Sequence, residues 1–193
     1  MKGERKRMLI RLVFLSFWRY IDPIYFSLTR LQYLCSDQGK GIFRVRLTRY
    51  KGKNVVLSDG SEICKNDLLV KIHLHNIKVI KDCTHMKNEL LKGKAVFKMV
   101  LDSMPHLASY IYNHPSEEKI KGIIGITLIN RGYKRLGFEC IRPESKLYKQ
   151  FKKLTQVFIY VLSHPTISVE NIKKHHPVYL MMSKEKLMEK YKN

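Results

Sequence analysis

Acidic residues are scarce in this chain. Asp and Glu number 16 against 37 Lys and Arg, which leaves a formal net charge of +21 over 193 residues. Such a balance says little about fold but a good deal about partners, because it favours acidic lipid, an acidic polymer or nucleic acid. Cysteine is sparse and scattered: Cys35, Cys64, Cys83 and Cys140 form no C-x-x-C pair, so a zinc site has no support. Isolated thiols fit a reducing compartment. Long apolar runs are missing, and Met8 to Trp18 falls short of the about 20 residues that a membrane-spanning helix needs. No Walker loop, no G-x-G-x-x-G and no G-x-S-x-G elbow occurs, which removes the usual signatures of nucleotide cradling and serine nucleophiles. The expectation is therefore no assigned catalytic residue, no cofactor and no metal.

What is present is enough for one folded core. Apolar residues make up 45% of the chain, well above the range of disordered segments, and this length suits a single domain. The organising stretch is Gly41 to Lys81. In Phe43 to Tyr50, Phe43, Val45 and Leu47 point one way while Arg44, Arg46 and Thr48 point the other. Lys51 to Asn54 turns the chain. Val55 to Ser58 and Ser61 to Cys64 flank Asp59-Gly60, a hairpin signal. After Asn66-Asp67, Leu68 to Ile80 reads as a strand with Val70, Ile72 and Leu74 inward and Lys71, His73 and His75 outward.

The N-terminus carries a basic start and then apolar residues, as a signal peptide would. Arg11, Arg19 and Asp22 interrupt it and no small-x-small cleavage site follows, which argues against a cleaved leader. Lys6 to Tyr20 reads as a helix that is apolar nearly all round, so it suits either a core or a lipid interface. Arg5, Arg7, Arg11 and Trp18 are its candidate membrane contacts. Asp22-Pro23 opens a second helix to about Leu34, and Ser36 to Gly41 reads as a loop. Residues 1–35 thus form a helical segment ahead of a domain over 36–193.

Further on, Thr84 to Ser103 reads as an amphipathic helix with Leu90, Phe97, Leu101 and Met104 on its core face, broken or kinked at Pro105. Lys121 to Ile129 is a buried central strand, and Arg135 to Ile141 another. Glu144 to Leu162 is a basic amphipathic helix. Lys146, Lys149, Lys152 and Lys153 flank its apolar stripe, a pattern shared by ordinary surface helices and by helices lying on acidic lipid. Val178 to Met182 is a short strand, and Ser183 caps a final helix, Lys184 to Tyr191.

His73 and His75 leave one face of a strand together, which is half of a metal site at most. If the first and last strands of the meander are neighbours, Arg44, Arg46, Lys71, His73 and His75 form a cationic patch suited to phosphate or carboxylate. Nucleic acid is disfavoured as partner, since the aromatics fall on apolar faces and no helix-turn-helix, RNP or zinc-finger pattern occurs.

Three stretches, Ile21 to Leu34, Phe43 to Asn76 and Lys121 to Glu139, resemble the YkoP-like family of bacilli. DLLVKIHLHN and RLGFE are the most specific parts of the likeness. The resemblance implies a cell-envelope context, since similar modules are appended to polysaccharide deacetylases, and it carries no catalytic residues with it. Gly132 to Glu139 also looks like a late strand of GNAT-type acetyltransferases, but the Gly-rich pyrophosphate turn of that family has no counterpart in the sequence. The expected fold is a single α+β domain with a mainly antiparallel sheet and helices on one side. The expected role is that of a basic accessory protein in the cytoplasm, peripheral to the membrane, whose partner is anionic lipid or an acidic envelope polymer. Two alternatives stand beside it: a transferase or hydrolase acting on an acidic envelope precursor, and a non-specific nucleic-acid binder.

Overall fold

The alternation of Gly41 to Arg49 does what its pattern dictates. In the computed structural model, which describes residues 31–36, 39–83, 86, 88–127, 132–141 and 178–192, β2 (Gly39–Arg49) pairs antiparallel with β1 (Gln32–Ser36) on one side and β5 (Leu68–Leu74) on the other. Two short strands between them, β3 (Val55–Val56) and β4 (Glu62–Ile63), make a separate ribbon. The main sheet has six strands in the order β1-β2-β5-β6-β8-β7, with β6 spanning Ile120–Thr127, β7 Glu139–Ile141 and β8 Val178–Ser183. Only β5–β6 is parallel among these pairs; the rest are antiparallel.

A parallel pair needs a crossover, and here it consists of α1 (Asn76–Cys83) and α2 (Glu89–Tyr112). Asn88 caps α2 by accepting from the amide of Leu90 at 2.8 Å. Met104, Leu107, Ala108 and Ile111 of α2 seal one face of the sheet against Phe43, Val45, Val70, Ile123 and Met182. The last helix, α3 (Lys184–Tyr191), joins the same cluster through Leu187 and Tyr191, and the Tyr191 hydroxyl donates to the Leu136 carbonyl at 3.0 Å. Its cap is Ser183, whose Oγ accepts from the Lys186 amide at 3.0 Å. Gly122 lets β6 and β8 approach closely, because a Cβ there would run into the Met182 carbonyl oxygen. This is an α+β domain with a mainly antiparallel sheet.

Several boundaries differ from the sequence-based expectation. Gln32 to Leu34 is strand and not the end of a helix, because its backbone completes the ladder with Arg44 and Val45. The expected loop Ser36 to Gly41 is largely the tip of that β1–β2 pair. The strand expected to reach Ile80 ends at Leu74: the His75 amide still donates to Ile42, and the His75 carbonyl already accepts from Val79 as α1 begins. Pro105 lies inside α2 without ending it; the buried side chains on either side, Met104 and Leu107, hold the helix to the sheet. Leu90 and Leu101, expected in the core, are 67% and 38% exposed. Tyr133 to Leu136 is a 3-10 turn, so β7 starts only at Glu139. The helices expected over Lys6 to Tyr20 and Glu144 to Leu162 lie outside the described residues. No described helix is long and apolar enough to cross a membrane.

Candidate anion-binding site

The second face of the sheet is divided. At one end the β3–β4 ribbon folds over it, burying Leu57 and Ile63 against Leu69, Ile124 and Met181. Polar ties hold the ribbon down. Ser58 donates its amide to Glu139 at 2.9 Å and its hydroxyl at 2.6 Å, Lys186 stands 3.8 Å from the same carboxylate, and Ser183 Oγ bonds Asp59. Burial tends to raise the Asp59 carboxyl, but the hydrogen bonds from Ser183 and Ser61 and the charge of Lys186 outweigh it and hold the group below its usual 3.8.

At the other end of this face the positive residues gather. The β2–β5 register sets Arg44 opposite His73 and Arg46 opposite Lys71, and residues directly opposite in an antiparallel pair have Cβ atoms about 4.5–5.5 Å apart. The fold thus makes neighbours of four side chains that lie about 25 positions apart in sequence, through nothing more than alternation and register. They do not stand in open solvent. Arg44 is 3% exposed and Lys71 9%, while Arg46, His73 and His75 are partly buried. Tyr33 of β1 completes the group. Its hydroxyl accepts from Arg44 Nη2 at 2.6 Å, the guanidinium carbon lies 4.8 Å from its ring centre, and His75 meets the ring edge-on at 5.4 Å. All five residues anticipated for the patch are therefore brought together. Tyr33 was not anticipated, since it fell within an expected helix; the only hint was its spacing from Arg44 across a short turn.

A second feature adjoins the cluster. The β5–β6 ladder runs from Leu68–Ile120 to Ile72–Gly125 and stops there. β5 continues through His73 and Leu74 alongside β2, and β6 through Ile126 and Thr127 alongside β8. Beyond that last rung no further β5–β6 pair occurs among the described residues, and His73 and Arg44 stand beside the carboxyl end of the ladder. In open sheets that contain parallel strands, this is where ligands are commonly received. The turn from β5 into α1 is His75 alone, without glycine. A separate shallow concavity of about 530 Å³ lies between β1 and α2, lined by Tyr33, His106, Tyr110 and His114 among others. Apart from Tyr33 it shares none of the charged cluster.

Chemically, two guanidinium groups, an ammonium and two imidazoles offer many donors and a positive field, the set that phosphate and carboxylate require. Among the described residues no group of three or more His, Cys, Asp or Glu could hold a metal ion. The candidate membrane contacts Arg5, Arg7, Arg11, Trp18, Lys146, Lys149, Lys152 and Lys153 lie outside the described residues, as does the His175-His176 pair.

Fold and cluster together describe an α+β protein with buried and half-buried basic side chains gathered on the sheet face away from its described helices. The family model of the YkoP domain matches residues 11–191, and the chain belongs to that family. A protein of Bacillus subtilis (strain 168), named there Uncharacterized protein YkoP, is 50% identical over 178 residues, which covers 92% of this chain and 96% of that protein. No solved structure matches.

Proposed function

We propose that this YkoP-family protein is a basic accessory protein that associates with an anionic membrane or cell-envelope surface, and that it takes a phosphate- or carboxylate-bearing group of that surface into the Arg44–Arg46–Lys71–His73–His75 cluster. The observation that carries this is the β2–β5 register. It sets Arg46 directly opposite Lys71 and Arg44 opposite His73 on one face of the sheet, which gathers the donors that a phosphate or carboxylate takes up. The excess of 37 Lys and Arg over 16 Asp and Glu acts in the same direction at longer range, steering the protein towards acidic surfaces.

The test is co-sedimentation with neutral and acidic vesicles over a salt series, with duplex DNA as competitor. Arg44→Gln/Arg46→Gln is expected to weaken acidic-vesicle binding by roughly tenfold or more, in keeping with the strength of charge-assisted hydrogen bonds. Circular dichroism checks that the fold survives; because Arg44 packs on Tyr33, Arg46→Gln alone serves as the milder variant. Unchanged binding in a folded variant removes the cluster from the proposal. Equal binding to every polyanion, lost steeply with salt, reduces the interaction to net charge.

One observation favours a second reading, in which the protein is a transferase acting on an acidic envelope precursor. The end of the β5–β6 ladder beside His73 would seat a ligand at the carboxyl ends of the strands, within reach of an imidazole able to move a proton. The likeness of Gly132 to Glu139 to a GNAT strand lends this reading nothing, because Tyr133–Leu136 is a 3-10 turn, and the glycine-free turn at His75 sits against that family's way of holding its cofactor. A small molecule retained through purification and seen by native mass spectrometry would move the balance to this reading.

A further inference from the structure

We infer that the N-terminal half of α2 is a membrane-docking surface, with Leu90 and Leu91 entering the headgroup region of an acidic bilayer. This rests on the membrane-surface reading above and adds an apolar contact to the charged one proposed there. The two halves of α2 differ sharply. From Ser103 to Ile111 the helix contributes five buried residues to the structure, whereas between Leu90 and Asp102 none is buried. In the first half of this 24-residue helix contact with the core is left to the partly buried Phe97, Met99 and Val100, and other positions face outward.

Its outward arc is apolar where solvent alone would select polar residues. Leu90, Leu91 and Leu101 are 67%, 53% and 38% exposed. At 100° per residue Leu90, Leu101, Lys94, Lys98 and Leu91 fall in that order within about a third of a turn, and both lysines are exposed. Asp102, also exposed, closes the arc at its C-terminal edge. Leucines interleaved with lysines suit a surface that is greasy a few ångströms down and negative on top, which is an acidic bilayer; insertion strength then sums apolar burial and attraction to anionic headgroups. Long lysine stems reach past the leucines to the phosphates while those side chains are immersed.

The experiment compares the full chain with Leu90→Ser/Leu91→Ser on vesicles of phosphatidylglycerol and phosphatidylcholine in equal parts, at low and high salt, with soluble poly-glutamate as a second target. Both substitutions are at exposed positions, so the unfolding temperature is expected to stay put. The variant is expected to lose the salt-resistant part of vesicle binding, by roughly tenfold or more if each leucine is substantially immersed, and to bind poly-glutamate as the parent does. If the parent binds vesicles at high salt and the variant matches it, the docking surface is refuted while the anionic-surface reading stands. If the parent ignores acidic vesicles altogether, both fall. If the leucines matter for poly-glutamate and not for vesicles, the arc faces an acidic protein groove and the bilayer assignment is overturned.

Discussion

The two faces of the sheet are built from the same strands by the same alternation, yet they end up in opposite chemical states. Towards α2 and α3 every inward position is apolar, and Phe43, Val45, Val70 and Ile123 are at or below 1% exposure. On the reverse face the residues one step along carry Arg44, Arg46, Lys71 and His73, and Arg44 and Lys71 are buried almost as deeply. The first face is what folding requires. The second differs: one end carries the charged side chains of β2 and β5, while the β3–β4 ribbon closes the other end with leucine and isoleucine.

That contrast can be broken or sharpened by substitution. The largest effect is expected on the dry face. Leu107→Ala in α2, at a site with no exposure, should cost about 2–5 kcal/mol, read from urea unfolding; a cost under about 1 kcal/mol would mean that the helix packs less tightly than its burial implies.

A smaller effect is expected at the ribbon end. Ser183→Ala removes the cap of α3 and the bond to Asp59, and should cost about 1 kcal/mol. The two groups are also linked through pH. The Asp59 carboxyl is held below its ordinary 3.8 in the folded state, so its contribution is present above that value and is lost as pH falls through the folded one. Acid unfolding of Ser183→Ala should accordingly show a weaker pH dependence in that acidic window than the parent; an identical profile would leave Asp59 held by Ser61 and Lys186 alone.

The smallest stability effect is expected at the charged end. Lys71→Gln, which keeps hydrogen-bonding capacity while removing the charge, should leave stability within about 1 kcal/mol of the parent, while acidic-vesicle or phosphate binding declines. Severe unfolding of this variant would show that Lys71 holds the fold together, and the distinction between the two faces would fail.

Much of this contrast was legible in the residue order. Alternation from Phe43 to Thr48 and from Val70 to His73 fixed which side chains share a face, and Ser183 announced its helix. Lys121 to Ile129 reads as a buried central strand, and its described part lies in β6 (Ile120–Thr127), inside the sheet between β5 and β8. What escaped notice was set by tertiary contact. Gln32 to Leu34 has a spacing that serves helix or strand, and the β2 edge decided it. Asn76 to Ile80 continues an apolar alternation that the chain abandons because helix α1 must carry it across to β6. Leu90 fits a core stripe by its period, yet it is 67% exposed, because period alone does not say which turns of a helix meet the sheet. The burial of Arg44 and Lys71 is likewise invisible to periodicity, since a charged residue on alternate positions ordinarily means water.

The place of β8 between β6 and β7 bears on how the protein is made. Residues 178–183 leave the ribosome after every other described strand, yet they fill a slot inside the sheet. Among the described strands, β7 and the apolar flank of β6 wait for β8 to pair with them, so between the synthesis of β6 and that of β8 the nascent domain carries a sticky, unpaired edge, the condition under which a chaperone or a slow ribosome matters most.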